Sequence, residues 1–250
     1  MTAPQPLDRF LQLATSQTAR GTGLLRGADK LHFELRNFFG DTDLHGRTVL
    51  DIGGGSGLCC FYAACLGASR AICVEPEAAG STTGVRATFL RLQDALGLPA
   101  VELVPVPLET YAHQDAPFDV IVSKYSINHL DEQACADLLV REEARATYRA
   151  IASRIADLSA PGGILIVRDC SNRNAFGDLG LPNPFAPSID WHLHQAPEVW
   201  ADVFGAAGFT NPRIEWTTIV GLGAVGQTLF GNRLMSYLSN SHFNLRMTRG

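Results

Sequence analysis

The segment Asp51-Ile52-Gly53-Gly54-Gly55-Ser56-Gly57 puts a carboxylate at the end of an apolar run and a glycine-rich turn directly after it. Glycine tolerates positive φ, and without a Cβ it lets a ligand lie against backbone N–H groups where a helix begins. Glu75 closes the next apolar run, a place from which a carboxylate accepts hydrogen bonds from both hydroxyls of a ribose. Asp51 has the charge to neutralise an ammonium group. Two acidic strand ends around a glycine turn suit a nucleoside that carries a cationic tail. The dinucleotide fingerprint G-x-G-x-x-G does not fit: started at Gly53 it requires glycine where Leu58 stands, and started at Gly55 it requires glycine where Cys60 stands.

A second constellation is Trp191-His192-Leu193-His194, inside a stretch rich in Pro, Asn and Gly. In an extended segment His192 and His194 face the same way. Either could act as a general base or touch a substrate, and both could equally anchor a loop. As a metal pair they lack a third ligand at close spacing, although Asp169 or Asp190 could approach in space, and no metal is expected. His129 stands six residues after Ser123, as a rim residue or as a helix-start histidine packed on a sheet. Lys124 either pairs with an anion or is solvated. Phe176, Phe185, Trp191, Phe230, Met235 and Tyr237 could line an apolar pocket or simply pack a lid. Arg173, Arg233 and Arg246 are carboxylate partners by type alone, and none is assigned.

These residues need a scaffold, and the hydrophobic pattern supplies one. Thr48 to Ile52, Ala71 to Val74, Val101 to Val104, Phe118 to Ser123 and Ile164 to Asp169 read as buried strands. Helical stretches at Leu58 to Leu66, Arg86 to Leu96 and Asp131 to Leu158 alternate with them, and Ala28 to Phe39 precedes them as a helix stopped by Gly40-Asp41. Such alternation implies a parallel, doubly wound sheet with right-handed crossovers. The residues before Ala28 read as a polar beginning. The irregular segment from Cys170 to Pro197 reads as a functional loop or lid. After it come a helix over Glu198 to Ala207, a sixth strand over Arg213 to Ile219, a helix over Gly223 to Leu238 and a seventh strand over Asn244 to Arg249.

Composition narrows the function classes. The 250 residues are 46% hydrophobic and 18% charged, enough apolar surface for one substantial core. A single domain is expected over 1–250, with an N-terminal helical cap (1–45), a ligand-binding core (46–169), a lid (170–197) and a C-terminal part of the sheet (198–250). The formal charge of −5 is spread along the chain, with no basic stripe for a phosphate backbone, so nucleic acid is not an expected partner. Met1 to Arg20 lacks the apolar centre of a signal peptide and no run of eighteen apolar residues occurs, which points to a cytoplasmic protein without a membrane partner. The six cysteines form no C-x-x-C pair and are expected as buried free thiols.

Val49 to Gly57, Val74-Glu75-Pro76 and Ser123 through Leu130 together resemble the class I S-adenosylmethionine-dependent methyltransferases, over about Gly46 to Gly208. The resemblance implies a Rossmann-like sheet of seven strands, mostly parallel with an antiparallel last strand, helices on both faces and a lid after the fifth strand. It implies S-adenosylmethionine as cofactor, with Asp51 and the backbone of Gly53, Gly54 and Gly55 on the methionine part. Glu75, followed by Pro76, would hold the ribose, Pro107 and Leu108 would lie by the adenine, and Ser123 near the sulfonium. One departure stands out: many members carry an acidic residue for the adenine amine where this chain has Pro107, which shifts that role to Leu108 backbone atoms or Glu109. The Asn/Asp/Ser-Pro-Pro-aromatic motif of base-methylating members is missing, since Ser123-Lys124-Tyr125-Ser126 stands in its place. The expected reaction is methyl transfer to a small-molecule acceptor, on oxygen rather than nitrogen or carbon, with His129, His192 and His194 as candidate acceptor-side groups. The alternatives are a protein, peptide or nucleotide methyltransferase, or a non-catalytic S-adenosylmethionine-binding partner protein.

Overall fold

The computed structural model describes residues 5–18, 27–77, 83–112, 116–217 and 223–250. The chain falls into two compact units, Met1–Ala112 and His113–Gly250.

In the first unit, β1 (Thr48–Ile52), β2 (Arg70–Val74) and β3 (Val101–Val104) pair in parallel, with β2 between the other two. The interior of β1 and β2 is buried almost without exception, as an apolar run that lacks alternation requires. The unit also holds α1 (Pro6–Thr18), α2 (Ala28–Phe39), α3 (Leu58–Cys65) and α4 (Val85–Leu96). At the start of the chain the expected helical cap contains a helix that the sequence pattern did not delimit. What reads as a polar beginning is the helix α1, whose Phe10, Leu11 and Ala14 share one face and are buried. Phe10 meets Phe61 of α3 with ring centroids 6.2 Å apart. Burying such a ring contributes about 2 kcal/mol, enough to hold a short stripe in place despite its polar neighbours. α2 buries Leu31, Leu35, Phe38 and Phe39, and Gly40 ends it at φ 55.

In the second unit, β4 (Phe118–Lys124) and β5 (Ser159–Cys170) run parallel, and β7 (His242–Arg249) pairs antiparallel with both β5 and β6 (Phe209–Trp216). The seven strands among the described residues make the mostly parallel Rossmann-like class with an antiparallel last strand. β5 reaches further back than the pattern suggests: Phe118 pairs with Ser159, the register then shifts, and Val120 pairs with Ile164. The Pro161-Gly162-Gly163 kink lies in that bulge, with Gly162 at φ 74.

The long helical region is two helices, α5 (Glu132–Asp137) and α6 (Glu142–Leu158). Asp131 caps α5 by accepting from the Ala134 N–H at 2.9 Å, and the turn between the helices exposes Leu139 and Val140. Tyr148 of α6 stacks obliquely on Trp200 of α8 (Pro197–Ala206), centroids 5.1 Å apart, and both are fully buried. The segment after β5 contains α7 (Ala175–Asp178) and a 3-10 turn at Trp191–Leu193. β6 begins at Phe209 and bulges near Asn211, which sits at φ 55; the expected end at Ile219 lies outside the described residues. The last helical stretch is likewise two pieces, α9 (Gly223–Phe230) and α10 (Arg233–Tyr237). Asn232 separates them by capping α10, accepting from the Met235 N–H at 3.0 Å.

Candidate functional site

The glycine turn has the geometry its composition implies. Gly53, Gly55 and Gly57 take φ values of 64, 56 and 74, in the left-handed region. Gly57 has two constraints, since it starts α3 in that conformation and a Cβ there would run into the Phe89 ring. Gly54 is required by space: a Cβ would lie 2.5 Å from Asp51 Oδ2 and 2.7 Å from Cys73 Sγ. Asp51 is 1% exposed, under the turn.

Glu75 is also buried, and its carboxylate ties the turn to the end of β2. Oε2 accepts from the Gly55 N–H at 2.9 Å and Oε1 from the Glu77 N–H at 2.8 Å. A carboxylate oxygen accepts more than one hydrogen bond, so Glu75 can fix the turn and still receive ribose hydroxyls. Glu77, at φ 50, accepts in turn from the Gly84 N–H before α4. Pro76 is half-buried; Pro107 is exposed after β3; Leu108, in the 3-10 turn that follows, is buried. Two buried carboxylates and a turn whose Gly53, Gly54 and Gly55 carry no Cβ fit S-adenosylmethionine by chemistry: Asp51 for the ammonium, Glu75 for the ribose and the turn's backbone for close approach.

Cys60 and Cys73 are buried beneath the same turn, their sulfurs and an Asp51 oxygen all within 4.8 Å of one another. Burial pushes the Cys60 thiol well above its ordinary range, aided by the hydrogen bond with Cys73 and the nearby Asp51 charge. Both are thereby kept as protonated, apolar filling.

In the second unit, Ser123, the last residue but one of β4, is fully buried, its hydroxyl 2.8 Å from that of Ser126. Tyr125 follows at φ 57, a conformation that costs a bulky residue roughly 1–3 kcal/mol and is held by its N–H donating to Arg168 O at 2.8 Å. Lys124 lies over the Tyr125 ring, Nζ 4.7 Å from the centroid. His129 sits in a 3-10 turn, half exposed, with Nδ1 2.7 Å from Glu132 Oε1 and Nε2 3.4 Å from Asn128 Nδ2.

His192 and His194 do not share an environment. The 3-10 turn over Trp191–Leu193 replaces the extended segment, leaving His192 exposed while His194 turns inward. His194 Nδ1 is 2.9 Å from Asp169 Oδ1, and Cys170 Sγ is 3.3 Å from the same nitrogen. Asp169 is 0% exposed, and its Oδ2 has no partner among the described residues. Asp169 arrives from β5, and His194 from 25 positions further on; Gln195, next in sequence, pins this segment by donating to Cys135 O at 2.7 Å. Sequence reasoning left Asp169 and Asp190 both open as neighbours of the histidines; the structure brings Asp169 to His194, while Asp190 caps the 3-10 turn by accepting from the His192 N–H.

Asp169, Cys170 and His194 also offer three ligand atoms within 4.8 Å of one another. Two features are those of a hydrogen-bonded pair in the metal-free chain. The 2.9 Å contact is a charge-assisted hydrogen-bond length, and burial, with the Asp169 charge, pushes the Cys170 thiol far above its ordinary range and keeps it protonated.

Of the aromatic candidates, Tyr237 lines a cavity of about 460 Å³ in this unit, together with Arg173 and Arg233. Phe176 and Phe185 pack edge to face on one another. Arg246 lies in β7, 3.6 Å from Glu215.

The family profile described as "Methyltransferase domain" matches residues 24–213. Over 142 residues the chain is 32% identical to a ribosomal protein L11 methyltransferase of Geotalea uraniireducens (strain Rf4); the match covers 54% of this chain and 36% of that protein, so the chain spans about a third of its length. Among solved structures, a SAM-dependent methyltransferase from Aquifex aeolicus superposes with TM-score 0.57 at 13% identity, covering 88% of this chain and 89% of that one. The [4+2]-cyclase SpnF superposes with TM-score 0.55 at 16% identity, covering 100% and 97%. At such identities the superpositions show the fold alone, and the cyclase shows that one fold hosts more than one reaction.

Proposed function

Because this chain belongs to the methyltransferase-domain family, we propose that it takes S-adenosylmethionine as its donor and methylates a small molecule, on a hydroxyl oxygen in preference to nitrogen or carbon. The observation that supports this reading is the buried Asp169 carboxylate holding His194 at 2.9 Å. An ionised carboxylate only accepts hydrogen bonds, so the proton between the two sits on Nδ1 and leaves Nε2 as the basic nitrogen. No hydrogen bond occupies Nε2 among the described residues.

S-adenosylmethionine supplies a methyl carbon already activated by the sulfonium. The chain has to hold that donor and present an oxygen in line with the carbon–sulfur bond. An alcohol or phenol gains nucleophilicity when its proton leaves, and His194 Nε2 takes that proton as the oxygen–methyl bond forms. Asp169 then faces an imidazolium, and its second oxygen remains available to stabilise that charge. His129 is the weaker candidate: its Nε2 already faces Asn128, and the Glu132 partner is half exposed. Ser123 and the donor-side residues keep their expected roles within this proposal. We place the reaction in the cytoplasm, with neither nucleic acid nor membrane as partner.

The test uses purified protein and S-adenosylmethionine labelled in the methyl group, offered to a panel of hydroxylated small molecules and, separately, to extract proteins. Label on small-molecule oxygen supports the reading. His194→Ala and Asp169→Asn should then lower kcat by roughly 10²–10⁴-fold with donor affinity unchanged. Label confined to protein would sink it in favour of a second reading, protein methylation, which the likeness to the ribosomal protein L11 methyltransferase supports.

A further inference from the structure

The cavity of about 460 Å³ in the second unit combines an apolar wall, Trp216, Leu234 and Tyr237, with the guanidinium groups of Arg173 and Arg233. Its volume is that of a small-ligand site. Ser171 and Ala196 also line it, and they follow Cys170 and His194 closely in the chain, which places the cavity beside the Asp169–His194 pair along two segments.

Both arginines are tethered. Arg173 donates from Nε to Asp178 Oδ1 and Oδ2 at 3.1 and 3.2 Å and from Nη2 to Oδ2 at 2.9 Å, while the Tyr237 hydroxyl donates to the same Oδ2 at 3.0 Å. Arg233 Nη2 lies 3.4 Å from Glu198 Oε1. A guanidinium carries five N–H donors, and these contacts use only one edge of each. The donors on Nη1 of both arginines have no hydrogen-bond partner among the described residues.

The two arginines are balanced by Asp178 and Glu198, so the cavity offers directed donors rather than surplus positive charge. That distinguishes between anions. A carboxylate carries one charge and matches two parallel N–H donors, whereas a dianionic phosphate would face Glu198 without a compensating field. The aromatic wall calls for a flat, apolar body beside that charge.

We propose that the cavity receives an acceptor of one chemical class, a hydroxylated aromatic or alicyclic carboxylic acid, with its ring against Trp216 and Tyr237 and its carboxylate on Arg173 and Arg233. This rests on the reading of a small-molecule acceptor. Asp178 and Tyr237 act as positioning residues, since they fix Arg173.

The test is calorimetric binding of 2-, 3- and 4-hydroxybenzoate, with the matched hydroxybenzamides and inorganic phosphate as comparisons, to the full chain and to Arg173→Ala and Arg233→Ala. Both arginines are largely exposed, at 70% and 75%, so neither substitution removes a buried group. The acids should bind at least roughly tenfold more tightly than the amides, and either substitution should erase that difference while the melting temperature and donor affinity stay put. Equal binding of acids and amides, a preference untouched by both substitutions, or tighter binding of phosphate would overturn the proposal. Failure of the small-molecule reading looks different: arginine-dependent binding of hydroxybenzoates by a chain that labels only proteins would leave the pocket standing and remove the acceptor reading. Methylation of neutral hydroxyl compounds without any acid preference would do the reverse.

Discussion

The proposed donor end, in the first unit, and the proposed acceptor end, in the second, are built in opposite ways. Asp51 and its glycine turn come from seven consecutive residues, and Glu75 from the end of the very next strand. Their geometry is largely local: three glycines at positive φ, a Gly54 that no side chain could replace, and a carboxylate bonded to the turn's own backbone. At the acceptor end nothing is local. Asp169 from β5 meets His194 from beyond a long irregular segment, and the cavity draws Arg173 from the loop after β5, Trp216 from β6 and Arg233 from α10. Local construction suits a ligand that never changes, and assembly from separate segments leaves room for the acceptor to differ between proteins of one fold.

If that contrast holds, substitutions at the two ends separate kinetically, and the His194 and Asp169 losses in kcat should be the largest effects of all. Next in size, Asp51→Ala should weaken S-adenosylmethionine binding by roughly 30-fold or more, because a buried charge partner is lost. Calorimetry on the variant, with the demethylated product as a second ligand, checks this. A variant that binds the donor normally but turns over slowly would break the assignment of Asp51 to the donor.

A smaller effect sharpens the choice among histidines. His129→Ala should change kcat by no more than about threefold, since its contact with Glu132 is half exposed and such pairs are worth little. Steady-state rates for His129→Ala and His194→Ala side by side decide the matter; a His129 loss that rivals the His194 loss would move the base to the 3-10 turn after β4.

The smallest effect concerns the thiols. Burial raises the Cys65 thiol from its ordinary 9.0 to about 11. The folded state therefore favours the protonated form, and the associated stability is intact below pH 9 and fades as pH rises toward 11. Thermal melts of the wild type and Cys65→Ser between pH 8 and 11, the window that shift defines, should converge as pH rises. Curves that stay parallel would show that the shift is absent.

Much of the scaffold was legible because parallel strands buried on both faces are near-continuous apolar runs, as in Val49 to Ile52, broken only by Asp51, and Ala71 to Val74. The expectations that moved share a physical cause. α1 is held by three side chains whose value depends on what they pack against, and Phe61 is not visible as a partner from residues 6–18. The break before α10 is marked by the cap at Asn232, while that between α5 and α6 has no side-chain cap at Arg141, and apolar periodicity records neither. The bulges in β5 and β6 are properties of pairing with a neighbour strand.

The sequence by itself determined the form of the glycine turn and the carboxylates beside it, because glycine's freedom at positive φ and a carboxylate at a strand end are properties of residue type and adjacent position; the donor follows from the family resemblance those residues carry. It also determined that histidines of the irregular segment were candidates for the acceptor side. Only the tertiary structure separated their environments: a 3-10 turn sent His192 to solvent and His194 to Asp169, and a buried carboxylate sets a histidine's tautomer only when the fold brings the two within hydrogen-bond reach.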